Sequence, residues 1–175
     1  MSASRLEDEA ALSRLVDLYA RAVDRGDAGL LDALFTPDAT LDFGAMFAGG
    51  YAAFAAMLAA AMAGMRTHHL MGNRLFAIDG DEAEGEVYSI NTHVIPHGAG
   101  ARDHIGAGRY LDRYRRTPDG WRFTHRTRVI DWTNTGSPAP GDGAGTIAGA
   151  RGGDDPSASG FPLLARLRGM AGAAG

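Results

Sequence analysis

The chain contains no cysteine. That absence removes disulfides, thiolate catalysis, cysteine-ligated zinc and iron–sulfur clusters from consideration, and it fits any redox compartment. An excess of positive charge is missing too. A formal net charge of -4 and a pI near 5.8 argue against binding a phosphate backbone, so nucleic acid is not an expected partner. Long apolar runs are also lacking. The longest low-charge stretch, residues 43–65, is interrupted by Gly44, Gly49, Gly50 and Gly64 and is built largely of alanine, too weak for a membrane span. Glu7 and Asp8 stand where a secretory signal would carry its apolar core. A soluble, cytoplasmic protein without a membrane partner is expected, and no internal repeat is present.

What is present suits one domain. A length of 175 residues with 45% hydrophobic and 22% charged residues can bury a real core. Ser4 and Glu7 make a capping-box pattern, followed by Leu12, Leu15, Val16, Tyr19 and Val23 at helical spacing, which predicts a first helix to about Arg25. Gly26 stops it and Asp27 caps a second, short helix carrying Leu30, Leu31, Leu34 and Phe35 and ending near Pro37. Ala39 to Phe43 alternates like a strand. Tyr51, Phe54, Met57, Leu58, Ala61, Met62 and Met65 then predict a third helix. Beyond Gly64 the period becomes two, predicting strands over 67–78, 83–95, 103–116 and 121–132, with Asp79-Gly80 and Pro118-Asp119-Gly120 as hairpin turns. Helices followed by antiparallel strands give an α+β layer, with helices on one face of a sheet.

Residues 133–175 are rich in Gly, Ala, Pro and Ser and are expected to be loose, apart from a possible short docking helix near 161–169 carrying Phe161, Leu163, Leu164 and Leu167. Gly143-x-Gly145-x-x-Ala148 mimics a dinucleotide fingerprint, but no strand precedes it, so no nucleotide cofactor is expected.

Several polar residues could carry chemistry. Asp24 falls in the last turn of helix one, where the helix dipole opposes an acidic charge. It is either a solvated carboxylate beside Arg21 or Arg25, or one turned inward to orient a histidine or act as a base. Tyr19, five residues earlier and about 140° round the helix, either reaches the same cavity or fills the core. His68 and His69 open the first long strand and point to opposite faces, so only one can face a pocket. Asn91 and His93 share a face with Val87 and Ser89, as a polar lining or an exposed edge. His93, His97 and His104 match no usual zinc spacing, and no metal is expected. His125, Arg126 and Arg128 lie between Trp121 and Trp132. A solvated edge is the default there, whereas an inward arginine would favour an anionic or carbonyl-bearing ligand. Phe54 and Leu58 on helix three, with Phe43, Met46 and Phe47 nearby, suit either core packing or an apolar pocket for a ring compound.

Tyr19-x-x-x-x-Asp24-Arg25-Gly26-Asp27 with Leu31-x-x-Leu34-Phe35-x-Pro37-Asp38-Ala39 resembles the opening of SnoaL-like members of the nuclear-transport-factor-2-like (NTF2-like) superfamily. Gly108-Arg109-Tyr110-x-Asp112-Arg113-Tyr114 and Asp119-Gly120-Trp121-Arg122-Phe123 resemble its ending, so the likeness covers about residues 6–132. It implies a cone-like fold with helices packed on the concave face of a curved, mostly antiparallel sheet, in a domain over residues 1–132. The chain is most similar to the branch containing scytalone dehydratase, bile-acid 7α-dehydratase and hexachlorocyclohexane dehydrochlorinase. Those enzymes use an Asp at the end of helix one and a His at the start of the strand after helix three. By this resemblance Asp24 and His69 are the catalytic pair and Tyr19 matches a pocket tyrosine. Asn91 stands where the bile-acid enzyme has an Asp, and Arg128 falls near its pocket arginine.

The implied activity is that of a cofactor-independent, dehydratase-like lyase acting on a small apolar, cyclic carbonyl or hydroxyl compound. His69 would remove a proton, Asp24 would orient it and Tyr19 would donate a hydrogen bond; Asn91, His93, Arg128, Phe54 and Leu58 would touch substrate. Two alternatives stay open: a SnoaL-type polyketide cyclase or isomerase in which Asp24 dominates, and a non-catalytic ligand-binding or assembly module. A small-molecule ligand is the implied partner, and a homodimer, through the sheet face away from the helices, or a higher homo-oligomer is implied as well.

Overall fold

Leu12, Leu15, Val16, Tyr19 and Val23 form the buried stripe of α1 (Ala3–Arg25) in the computed structural model, which describes residues 3–62, 64–97, 100–135, 138–140, 147, 156 and 160–163. Because the helix already includes Ala3, Ser4 lies inside its first turn rather than capping it. Gly26 takes φ 63°, a left-handed stop that costs glycine nothing. Asp27 caps α2 (Ala28–Asp32), its Oδ1 accepting from the Leu30 N–H at 2.9 Å. α2 is shorter than its apolar spacing suggests: Leu34 leaves the helix and Phe35 opens β1 (Phe35–Asp42). Pro37 disfavours helical backbone at the residue before it and is tolerated in β1 where the pairing register shifts, between Phe35 and Thr40.

A single 3₁₀ turn, Gly44–Met46, and a short β2 (Ala48–Gly50), both missed by periodicity, lead into α3 (Tyr51–Met62), which ends before Met65. The long strands are β3 (Arg66–Asp79), β4 (Glu82–His97), β5 (Gly100–Thr117) and β6 (Gly120–Asn134), close to the predicted spans. β7 (Pro138–Pro140) pairs with the end of β6. The sheet order is β2-β1-β6-β5-β4-β3, antiparallel except for the parallel β1–β6 pair. α1 packs on β3 and β6, and α3 on β1. The architecture is the expected α+β cone of the NTF2-like fold, and its floor is aromatic: Tyr19, Phe35, Phe54, Tyr110, Tyr114 and Phe123 are buried together.

The other sheet face carries Leu70, Leu75, Tyr88 and Ile90, all exposed, and a second, smaller core. Part of the segment expected to be loose docks there. Phe161 is buried against Ala77, Leu111 and Val129, the Arg113 guanidinium sits 4.6 Å from its ring centroid, and the Leu163 N–H donates to Glu84 Oε2 at 2.6 Å. Leu164, Leu167 and all of 143–148 except Ile147 lie outside the described residues. Phe161→Ala is expected to free this segment, seen as faster hydrogen exchange at the Leu163 amide while α1 exchanges as before. Unchanged exchange at Leu163 would mean that the Phe161 ring does not hold it.

Candidate active site

β3 starts under the end of α1, and period two turns Thr67, His69 and Met71 inward while His68 and Leu70 face solvent. Asp24, at the last turn of α1, meets the two inward polar residues. The Thr67 hydroxyl donates to Asp24 Oδ1 at 2.9 Å, the His69 backbone N–H to Oδ2 at 2.9 Å, and His69 Nδ1 lies 2.6 Å from Oδ1. Three donors thus offset the unfavourable helix-end position, and Arg21 and Arg25 are not its partners. The side chains of His69 and Asp24 are only 5% and 8% exposed. Burial pushes the Asp24 carboxyl up, but the His69 ring, the His69 amide and the Thr67 hydroxyl outweigh it and hold it at about 2.

A carboxylate only accepts, so it fixes the proton of neutral His69 on Nδ1 and leaves the Nε2 lone pair free. No hydrogen bond to Nε2 forms among the described residues.

Across the sheet, Asn91 is the ladder partner of His69 and His93 that of Thr67. Asn91 is 5% exposed and its Nδ2 donates to the Tyr110 hydroxyl at 2.8 Å. The His93 ring stands edge-on to His69 at 5.6 Å between centroids and 6.2 Å from His104. Burial first, then the charges of His69, His104 and Arg128, push His93 down to about 4 against the pull of Asp24. The sign of its effect on stability follows: between pH 6.5 and 4 the unfolded chain binds a proton that the folded one does not, so folding weakens as pH falls through that window. A His93→Phe variant is expected to lose about 1–2 kcal/mol less stability than the parent between pH 7 and 4.5, allowing for the ring's partial exposure. Urea titrations at both pH values measure this, and parallel losses would refute it.

Arg126 and Arg128 correct the expectation of a solvated edge: they are 0% and 6% exposed. The cause is a bulge. The β5–β6 register shifts between Arg113 and Tyr114, so Thr124 is extra and Phe123 shares its face with Arg126, which simple alternation forbids. The second shift, between Ala107 and Gly108, needs glycine: a Cβ on Gly108 would lie 2.1 Å from the Val129 carbonyl oxygen. Arg126 forms a fork on Asp112, at 2.7 and 2.8 Å, below Tyr19, Tyr110 and Phe123. Arg128 donates to the Ser89 hydroxyl at 2.5 Å and the Gly106 carbonyl at 3.0 Å.

The remaining candidates divide. Tyr19 is 2% exposed, edge-on to Phe35, Tyr110 and Phe123, and burial pushes its hydroxyl far above the ordinary tyrosine range. Phe54 packs edge-on to Phe43 and Phe47. Leu58 lines a shallow cleft between the helices with Val23, Leu31 and Ala55, and a second cleft runs beneath the docked segment beside Glu84, Arg113 and Pro162. Neither includes Asp24 or His69. His125 is on the outer face, bonded to Thr40 and Thr127. His97 ends β4 with its side chain outside the described residues, and among those residues no group of three or more His, Asp or Glu is arranged to hold a metal. No helix among them is long and apolar enough to cross a membrane. Sequence reasoning missed Thr67 and Tyr110 as partners; the shared face of Thr67 and His69 was the available signal for the first.

The sequence profile of the SnoaL-like domain matches residues 4–127, from α1 to the arginine-bearing half of β6. The chain belongs to the SnoaL-like domain family. An uncharacterized protein of Mycobacterium tuberculosis is 32% identical over 135 residues, covering 74% of this chain and 89% of the relative. Among solved structures, a candidate scytalone dehydratase from Novosphingobium aromaticivorans aligns with TM-score 0.75 at 21% identity, over 87% of this chain and 99% of the other. A type 2 hexachlorocyclohexane dehydrochlorinase aligns with TM-score 0.64, also at 21% identity, over 85% and 97%. At such identity these two show the shared SnoaL-like fold.

Proposed function

We propose that the protein is a cofactor-independent lyase in which His69 is the base and Asp24 its orienting partner. The observation that carries this reading is the 2.6 Å contact between Asp24 Oδ1 and His69 Nδ1, which leaves Nε2 unbonded by any described residue. In the proposed reaction Nε2 takes a proton from substrate carbon, the electron pair left behind forms the double bond, and the leaving group departs with the electrons of its own bond. The buried Asp24 charge stabilises the imidazolium that results.

The candidate scytalone dehydratase and the dehydrochlorinase among the solved structures support an elimination, since both names denote loss of a small group. Tyr19, at 2% exposure and with the Arg126 guanidinium 4.0 Å from its ring centroid, supports a place in the aromatic floor more than a role as donor to substrate. The test is turnover of His69→Ala and Asp24→Asn on a substrate found by screening small hydroxylated and halogenated ring compounds; full turnover by His69→Ala would sink the reading.

A further inference from the structure

Asp24 and His69 meet through two soft torsions. In each side chain the Cβ–Cγ bond joins a tetrahedral carbon to a planar one, and such a bond has broad, shallow preferences. The His69 backbone N–H pins Asp24 Oδ2 at 2.9 Å, which leaves the carboxylate free to swing Oδ1 about that oxygen. Were the His69 ring the sole partner of Oδ1, the group being oriented would have to hold its own orienter. Thr67 removes that circularity: its hydroxyl donates to the same Oδ1 at 2.9 Å, wherever the ring stands.

Thr67 is suited to this task. A β-branched side chain has a restricted χ1, so the hydroxyl is carried stiffly. The β3–β4 ladder runs without a register shift from Arg66 to Met71, which fixes Thr67 and His69 at successive inward positions of one regular stretch. The hydroxyl proton is committed, because an ionised carboxylate can only accept. Two donors on Oδ1 also spread its negative charge, and this favours keeping the His69 proton on Nδ1 across the 2.6 Å contact.

A purely structural role for Thr67, seating α1 on β3, is already filled by other residues. Arg74 of β3 donates through Nη1 to the Ser13 carbonyl at 2.9 Å and pairs through Nη2 with Asp17, while Leu12, Leu15, Val16 and Val23 of α1 are buried in the main core.

We propose that Thr67 is a positioning residue that locks the Asp24 carboxylate in the plane where it orients His69. Its consequence for turnover rests on the reading of His69 as the base.

The full chain labelled with ¹⁵N in histidine tests the proposal without a substrate, the His69 signals being those lost in His69→Ala. When neutral, the parent ring is expected in one tautomer, with its proton on Nδ1. Thr67→Ala is expected to let the Nε2-protonated tautomer appear and to speed exchange of the Nδ1 proton with water roughly tenfold, the effect of one lost hydrogen bond. Thr67→Ser loses the methyl group but keeps the hydroxyl, so it should match the parent. Thr67→Val keeps the shape of the side chain and should behave as Thr67→Ala, which separates the hydroxyl from any cavity. On a substrate found by screening, Thr67→Ala should lower kcat roughly 10- to 100-fold with KM unchanged, and Thr67→Ser should restore it.

A parent-like tautomer and exchange rate in Thr67→Ala and Thr67→Val overturn the proposal. A Thr67→Ser variant as impaired as Thr67→Ala overturns it as well, by assigning the effect to the methyl group. The lyase reading fails separately: parent-like Thr67 variants with a silent His69→Ala enzyme sink the positioning role alone, and a loosened ring in Thr67→Ala with full turnover by His69→Ala sinks the lyase alone.

Discussion

Replacing His69 by alanine is expected to lower kcat/KM by roughly 100- to 10,000-fold, the contribution of a positioned general base. The variant should remain folded, because Asp24 keeps two of its three donors, the residue-69 backbone N–H and the Thr67 hydroxyl. Asp24→Asn is expected to cost a comparable factor for a different reason. An amide can hydrogen bond to Nδ1 in either orientation, so it no longer dictates the tautomer, and it carries no charge to stabilise the imidazolium.

The comparison between the two variants decides the rival within the same family fold. In a polyketide cyclase reaction driven by Asp24 as acid and base, Asp24→Asn would be far worse than His69→Ala. Equal losses favour the pair acting through the histidine. The pH profile adds a check, since Asp24 ionises near 2 and stays charged through the working range. Any fall in kcat/KM between pH 8 and 5 therefore reports protonation of another group, and Asp24→Asn should change the height of the profile. A profile whose acid limb is set by Asp24 itself would contradict its assignment as a permanently charged orienter.

How much of this was legible beforehand varies with the length scale of the forces involved. α1, α3 and the four long strands were readable because each buries one face, and burial writes its period into the sequence. Asp27 and Gly26 were readable because caps and left-handed stops have few suitable residues. Phe35 was misread as helical, since Leu30, Leu31, Leu34 and Phe35 keep helical spacing and only the pairing of Phe35 with Phe123 on β6 settles the matter. Arg126 was invisible for a related reason. Its burial follows from one extra residue in β6, and a bulge leaves no periodic trace that distinguishes it from a solvated cationic edge. Asp24 and His69 came from a resemblance over two aligned positions, whereas their distance depends on how α1 lies on β3. Asn91 and His93 share one face as their spacing on a strand requires, but the Tyr110 hydroxyl that Asn91 meets lies nineteen residues away on β5.

The largest effect on stability is expected at Arg126. Its guanidinium is fully buried, forked on Asp112 and within 4.0–4.3 Å of three aromatic ring centroids, while Asp112 also accepts from the Tyr114 hydroxyl at 2.8 Å. Burial works against the arginine charge, yet the facing Asp112 carboxylate raises its pKa above the ordinary value. Arg126→Met removes the cation and leaves the Asp112 charge in an apolar floor with one hydroxyl donor. The expected loss is about 3–5 kcal/mol, the usual result of orphaning one member of a buried pair, which for a chain of this size is a fall in Tm on the order of 10 °C.

Much of that loss comes from the orphaned carboxylate, so the double variant Arg126→Met with Asp112→Leu should be more stable than Arg126→Met alone. Well-packed apolar replacements of buried pairs are often neutral or better. A double-mutant cycle in urea measures the difference. Simple additivity of the two single losses would show that the fork contributes nothing beyond packing, and the floor of the cone would then be held by its rings alone.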